Sequence, residues 1–146
     1  MKEFKRGEIY YINFPYTFDV NYPKGKSKFV VILQEGAIFE AYDAITVLLI
    51  TSDEESKDFE TNVTVEVGLT KLIKESYIIC AQPYTVLKSL FEQDGVWCAG
   101  CLPDYKLDEV DECLYIGLCM GLQNDGKGGE GESQINEIED KGDVAF

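Results

Sequence analysis

The chain of 146 residues contains no histidine. Histidine is the one side chain that titrates near neutral pH without perturbation, and it is also the commonest metal ligand. Its absence removes the usual general base and the usual metal site. Any acid–base chemistry must therefore use carboxylates, lysine, tyrosine, cysteine or hydroxyl groups. We expect neither a metal nor a cofactor.

Cations are scarce. Lysine and arginine total 13 against 27 acidic residues, which gives a formal net charge of −14. A field of this sign repels phosphate and argues against a protein that binds nucleic acid without specificity. The shortage is uneven, because residues 1–28 carry six cations and only three acids. The sequence thus leaves room for a local basic face on an acidic body.

Long apolar runs are also missing. No stretch approaches the roughly 18 apolar residues of a membrane span, and the N-terminus has no apolar core of signal-peptide type. The five cysteines are an odd number. These features predict a soluble cytoplasmic protein with reduced thiols.

Two of the cysteines, Cys98 and Cys101, have the spacing of half a zinc or redox site. A zinc site of this kind needs a second pair of cysteines or a pair of histidines, and the sequence has neither. The motif also falls in a predicted hairpin rather than at the start of a helix. Ordinary thiols are the favoured interpretation.

The apolar segments that are present are short and rich in β-branched residues. Residues 29–33 and 45–50 are the most apolar and predict strands buried on both faces. Five further segments are typical of strands or their ends: residues 8–14, 63–67, 77–81, 84–91 and 96–102. Residues 68–76 predict a single helical turn or a short helix. The pattern indicates five to seven short strands.

Pro103 opens a segment with apolar residues at three- and four-residue spacing, which predicts one amphipathic helix. The apolar stripe comprises Leu107, Val110, Leu114 and Leu118. The strands and this helix together predict a mainly β (α+β) fold, a small curved sheet or barrel with a C-terminal helix packed on it. We assign residues 1–121 to this domain. Residues 122–146 are glycine-rich and acidic and predict a flexible tail.

If the two most apolar strands pair antiparallel, Lys28 at the start of the first lies beside Thr51 at the end of the second. A cation and a hydroxyl then meet at one rim of the sheet. A loop before Lys28 interleaves aromatic residues with lysines, namely Tyr16, Phe18, Tyr22, Lys24 and Lys26. Such a mixture suits single-stranded nucleic acid, through stacking and phosphate contacts. On composition alone, a loop that packs on itself is the favoured interpretation.

In chain order, the segments resemble those of the MazF/PemK family of ribonuclease toxins. The family opens with a glycine, an acid and an aromatic-rich strand, then has an Arg-Pro pair before a Val/Leu strand and a threonine-rich turn after the next strand. A later strand ending in glutamine and a terminal helix complete the pattern. The matching segments are residues 6–14, 28–34, 47–52, 77–82 and 107–114. The resemblance covers about residues 5–120.

This resemblance implies an SH3-like barrel that acts as a homodimer, cleaves single-stranded RNA without a metal, and has a cognate antitoxin. The 2′-OH of a ribose would attack the adjacent phosphate. The catalytic positions fall on Lys28 and Thr51. The remaining RNA contacts would come from Ser52, Gln82 and Tyr84 together with the aromatic and lysine residues of the preceding loop.

The sequence departs from the family at two positions. Lys28-Phe29 replaces Arg-Pro, and Tyr84 stands where many members carry a basic residue. Lysine lacks the planar fork with which arginine grips a phosphate. A catalytically weak or inactive homologue that binds an antitoxin is therefore the alternative. Gyrase poisoning is a third hypothesis, disfavoured because the helix runs into a glycine-rich tail. The tail is either a solubilising end or a decoy for RNA.

Overall fold

The computed structural model describes residues 3–16 and 19–121. Phe18 and the predicted tail, residues 122–146, lie outside this part of the chain. The described residues form seven strands, three short 3-10 helices and one α-helix. The strands are β1 (Glu8–Phe14), β2 (Lys26–Ile32), β3 (Ala44–Thr51), β4 (Asn62–Val65), β5 (Ser76–Ile79), β6 (Tyr84–Leu87) and β7 (Trp97–Cys101). The helices are α1 (Asp104–Gly117) and the 3-10 turns Ala37–Phe39, Glu54–Asp58 and Lys88–Glu92.

All strand pairs are antiparallel, and the sheet order is β4-β5-β3-β2-β1-β7, with β6 also paired to β3. On the edge away from β2, β3 pairs first with β6 and then, at Ile50 and Thr51, with β5. One edge therefore serves two successive partners, and the sheet curls into a half-barrel. The predicted curved sheet with a C-terminal helix is confirmed.

Apolar side chains are buried on both faces of the sheet, as predicted for the two central strands. Val30, Val31 and Ile32 of β2 are fully buried. The first core cluster includes Val31 and Leu48 and packs against α1, whereas the second includes Val30 and Val47. None of the described helices has the length and hydrophobicity needed to cross a bilayer.

The helix begins just after Pro103, as predicted, and Leu107, Val110 and Leu114 pack on the first core cluster. It ends earlier than its apolar pattern suggested. Cys119 has a φ of 60°, a left-handed conformation that stops the helix soon after Gly117. Leu118 therefore does not continue the buried stripe, and 45% of its surface is exposed.

Two other predictions about local structure were wrong. Residues 88–91 form a 3-10 helix rather than the end of a strand. Residues 68–76 contain turns and bends but no helix before β5 starts. Of the apolar residues there, Leu72 enters the core whereas Ile73 is 86% exposed. One buried residue is too little to support a helical face, and the Lys71 N–H donates instead to the Ala99 carbonyl of β7, at 2.7 Å.

Lys106 attaches α1 to the edge strand β4 and is only 4% exposed. Its ammonium group donates to the Thr64 carbonyl at 2.6 Å and lies 3.0 Å from a carboxylate oxygen of Glu66. Lys106→Met should lower the free energy of unfolding by about 2 kcal/mol. The expected loss is smaller than for a fully buried ion pair, because Glu66 is half exposed and water can solvate its carboxylate once Lys106 is replaced. Urea unfolding measures the difference.

Lys57→Met is the matched control, since Lys57 is exposed and outside these contacts. The hydrogen bond from Lys106 lowers the pKa of Glu66. The contribution of the pair is therefore complete above the pKa of an unfolded glutamate and is lost as pH falls through the lower folded-state pKa. The difference between wild type and Lys106→Met should shrink on acidification. Equal unfolding free energies for the two lysine variants would contradict this account.

Candidate functional site

Lys28 and Thr51 lie side by side at one end of the sheet. Phe29 of β2 opposes Ile50 of β3, so the next opposed positions along the strands are Lys28 and Thr51. Both line a cleft of about 630 Å³, together with Ser52. The antiparallel pairing anticipated from sequence therefore brings the cation and the hydroxyl together.

The cleft wraps around the end of β2 and β3. Side chains alternate between the two faces of a strand, so Phe29 and Ile50 point to one face and Lys28 and Thr51 to the other. Residues of both sets line the same cleft. A ligand in this cleft can therefore contact both the apolar surface of Phe29 and Ile50 and the polar surface of Lys28 and Thr51.

The hydroxyl of Thr51 is held in place by the backbone. Its oxygen accepts a hydrogen bond from the Asp53 N–H at 3.2 Å. This contact uses a lone pair, and a hydroxyl also carries one proton that it can donate. Thr51 can therefore present a donor in a fixed position to an anionic oxygen.

Four lysines line the cleft, and the one acid among the lining residues is Asp53. The lysines are Lys26, Lys28, Lys71 and Lys74. The cleft is thus net positive in a chain of net charge −14. In residues 3–16 and 19–121 the ion pairs are made by other cations, Arg6 and Lys106. The cleft lysines remain available to an anionic ligand.

Sequence reasoning missed Lys71 and Lys74. These two residues lie between β4 and β5, where the sequence predicted a helical turn. The chain there is held by the hydrogen bond from Lys71 to Ala99 and by the burial of Leu72. No local pattern marks these lysines. Only the packing of their segment beside β7 brings them to the same end of the sheet as Lys28.

Three aromatic rings also lie at the cleft, and sequence reasoning missed them as well. Tyr11 opposes Phe29 on one side and Trp97 on the other. The ring centroids are 4.8 Å apart for Tyr11 and Phe29, 6.0 Å for Tyr11 and Trp97, and 5.6 Å for Phe29 and Trp97. Trp97 is 45% exposed. The signal available in the sequence was the single tryptophan of the chain, two residues after the predicted Asp94-Gly95 turn.

Two aromatic residues of the loop before β2, Tyr16 and Tyr22, pack on each other instead, and Tyr16 also packs on Phe14 of β1. The ring of Phe14 lies 5.1 Å from those of Tyr16 and Tyr84, and Tyr16 lies 5.5 Å from Tyr22. Burial raises the pKa of Tyr16. None of these tyrosines lines the cleft. The interpretation of a loop that packs on itself fits this arrangement better than a stacking surface.

Of the other residues predicted to contact RNA, some line the cleft and others do not. Lys26 lines the cleft, and its ammonium group donates to the Tyr22 hydroxyl at 3.4 Å and lies 4.8 Å from the centre of that ring. Lys24 and Gln82 are exposed but do not line the cleft. Their role in binding RNA stays a prediction.

Cys98 and Cys101 lie in β7, within the segment predicted to follow the hairpin turn. A bulge in the pairing of β1 with β7 falls between them. The Cys98 thiol donates to the Gly100 carbonyl at 3.6 Å and that of Cys101 to the Arg6 carbonyl at 3.8 Å. Within the described residues, no group of three or more cysteine or acidic side chains is placed to hold a metal ion.

Cys80 should resist alkylation in the folded protein. It is fully buried, and burial raises its pKa to about 12, so its thiolate is nearly absent at pH 8. Cys119 is exposed and serves as the internal comparison. Treatment with iodoacetamide at pH 8, followed by peptide mass spectrometry, should find Cys119 modified and Cys80 intact until the chain is unfolded. Equal labelling rates in the folded protein would show that Cys80 is accessible.

A model of the family of PemK-like, MazF-like toxins of type II toxin–antitoxin systems matches residues 5–118. No curated protein sequence matches the chain significantly.

Among solved structures, MazF from Deinococcus radiodurans is similar, with a TM-score of 0.61 and 16% identity over 82% of this chain and 100% of that one. A MazE–MazF complex from the same organism gives 0.60 and 16%, over 82% and 100%. An endoribonuclease in complex with its cognate antitoxin, from Mycobacterial species, gives 0.56 and 16%, over 81% and 95%. At these identities the structures establish the fold alone. The family model covers most of the chain.

Proposed function

The chain belongs to the family of PemK-like, MazF-like toxins of type II toxin–antitoxin systems, and we propose that it is an endoribonuclease that cleaves single-stranded RNA. The observation that carries the proposal is the pair Lys28 and Thr51, opposed at the end of β2 and β3 in a cleft with three further lysines. One solved structure of similar fold is described as an endoribonuclease with its antitoxin.

In the proposed reaction, the 2′-OH of a ribose attacks the adjacent phosphorus. The bond between O2′ and phosphorus forms, and the bond from phosphorus to O5′ of the next nucleotide breaks. The products are a 2′,3′-cyclic phosphate and a 5′-hydroxyl. Negative charge builds up on the phosphate oxygens in the transition state, where the Lys28 ammonium and the Thr51 hydroxyl would stabilise it.

Two protons must also move, one away from the attacking 2′-OH and one to the leaving O5′. Asp53 carries the one carboxylate among the residues that line the cleft, and its backbone N–H already binds the Thr51 hydroxyl. We assign it as the proton acceptor, and we assign a lysine ammonium group of the cleft as the proton donor to O5′. Lysine ammonium groups supply the positive charge, so we expect the reaction to proceed without a metal ion.

The test is incubation of the purified protein with single-stranded RNA of mixed sequence in EDTA, with the new ends mapped. Cleavage that leaves 2′,3′-cyclic phosphates and shows a sequence preference is the expected result. A DNA strand of the same sequence lacks the attacking 2′-OH and should stay intact. Cleavage of both strands, or cleavage that stops in EDTA, would contradict this mechanism.

A second function is favoured by the identity of residue 28. A lysine binds phosphate as a point charge and lacks the planar fork of arginine, so the chain could be catalytically weak and act by binding an antitoxin. Solved structures of similar fold include complexes with antitoxins. RNA that stays intact, together with nanomolar binding to a cognate antitoxin, would support this alternative. A neighbouring gene for a small acidic protein would identify the candidate.

We further propose that the protein acts as a homodimer in the cytoplasm, where single-stranded messenger RNA is available. Apolar side chains are exposed near the end of α1, at Tyr115, Ile116, Leu118 and Met120. Exposed apolar surface of this kind is typical of an interaction site. Light scattering on the purified protein distinguishes a dimer from a monomer.

A further inference from the structure

Trp97 is the single tryptophan of the chain and lies in the cleft beside Tyr11 and Phe29. The three residues form one row across β7, β1 and β2, since Tyr11 opposes both others in the strand registers. Phe29 also packs against the first core cluster. The row is therefore fixed to the core at one end and 45% exposed at Trp97 at the other.

An exposed tryptophan can bind several kinds of ligand, and the surroundings distinguish among them. The cleft residues include four lysines and one acid. An apolar side chain of a protein partner would gain nothing from these cations, whereas a ligand with a flat ring and a phosphate would use both features. Single-stranded nucleic acids carry such a unit in every nucleotide, and aromatic side chains in cationic grooves stack their bases.

The ring row and the polar pair are reached from the same cleft. Lys28 and Phe29 point to opposite faces of the sheet, but both line the cleft that wraps around the end of β2 and β3. A phosphate held near Lys28 and Thr51 therefore places a neighbouring base within reach of the ring row. This geometry ties the aromatic row to the same ligand as the polar pair.

We propose that Trp97, supported by Tyr11 and Phe29, is the stacking platform for one unpaired base of the RNA bound in the cleft. The proposal deepens the function proposed above and rests on it. It assigns the base contact to β7 rather than to Tyr16 and Tyr22 of the loop before β2, where Tyr16 packs on both Phe14 and Tyr22.

The single tryptophan makes the test direct, because all intrinsic tryptophan fluorescence comes from Trp97. A single-stranded oligonucleotide with 2′-O-methyl riboses cannot be cleaved through its 2′ position and serves as the probe. Its addition should quench the fluorescence, with the same midpoint as binding measured by anisotropy of a labelled copy. An abasic oligonucleotide of the same length keeps the phosphates, so it should bind more weakly and leave the fluorescence nearly unchanged.

Substitutions provide a second readout. Trp97→Ala should weaken binding of the probe about 10-fold and abolish most of the difference in affinity between the probe and the abasic strand. Trp97→Phe should retain much of the affinity and much of that difference. Tyr105→Ala is the matched control, since Tyr105 is 55% exposed on α1 and does not line the cleft. Unchanged thermal unfolding of the variants would show that the effect is not structural.

Equal quenching by the normal and abasic strands, or no quenching during binding, would overturn the proposal. A fluorescence change that depends on protein concentration alone would assign the rings to contact with a second copy and also refute it. The two proposals fail separately. Cleavage without base-dependent quenching removes only the stacking platform, and quenching without cleavage removes only the ribonuclease activity.

Discussion

Thr51→Ala should reduce the rate of RNA cleavage in EDTA by about 10²- to 10³-fold, which is the usual loss when one donor to a developing negative charge is removed. The structure gives the reason. The Thr51 oxygen is fixed by the Asp53 N–H, so its proton can be directed at a phosphate without reorganisation. Cleavage rates under single-turnover conditions measure the effect on the chemical step.

Two controls separate the hydroxyl from the fold. Thr51→Ser keeps both the donor and the acceptor and should retain most of the activity. Thr46→Ala removes a hydroxyl from the same strand outside the cleft, where Thr46 contacts Thr85 at 3.3 Å, and should leave cleavage unchanged. If Thr51→Ala cleaved as fast as Thr46→Ala, Thr51 would have no part in the reaction.

Lys28 tests the other half of the same pair. Lys28→Ala should impair cleavage, whereas Lys28→Arg should maintain or raise it, because a planar guanidinium can bind two phosphate oxygens at once. Lys57→Ala, an exposed lysine outside the cleft, controls for the loss of one positive charge. Cleavage that survives both Thr51→Ala and Lys28→Ala would mean that the active site lies elsewhere.

The proximity of Lys28 and Thr51 could be predicted from the sequence because each residue lies next to one of the two most apolar segments of the chain. The apolar runs of β2 and β3 contain buried β-branched residues, and antiparallel pairing of neighbouring strands is enough to bring Lys28 beside Thr51. The curved sheet follows from the same short strands. The start of the helix after Pro103 could likewise be predicted from residues that are neighbours in the sequence.

The rest of the cleft could not be predicted, for a physical reason. Lys71 and Lys74 are placed by a backbone hydrogen bond to Ala99, a contact between segments almost thirty residues apart. Trp97 reaches the cleft only because β7 adds to β1 at the sheet edge. Conversely, the composition of the loop before β2 alone favoured self-packing, and only the resemblance to the family assigned its aromatic residues to RNA. The packing of Tyr16 on Phe14 agrees with the interpretation from composition.

Lys71→Gln combined with Lys74→Gln should weaken binding of uncleavable single-stranded RNA about 10-fold or more at low salt. The segment that carries both lysines is held to the rest of the fold, because Leu72 between them is buried in the core. The two charges therefore stay at the cleft without a ligand, and neither forms an ion pair within the described part of the chain. A phosphate backbone that follows the cleft would contact both.

The dependence of affinity on salt is the sharper readout. Each phosphate contact on a single strand contributes about 0.7 to the slope of log K against log salt concentration, so the double variant should lower the magnitude of the slope by about 1.4. Lys57→Gln removes an exposed charge outside the cleft and should leave the slope unchanged. Parallel salt dependences for the double variant and wild type would show that RNA does not reach Lys71 and Lys74. The bound strand would then be confined to the side of the cleft formed by β2 and β3.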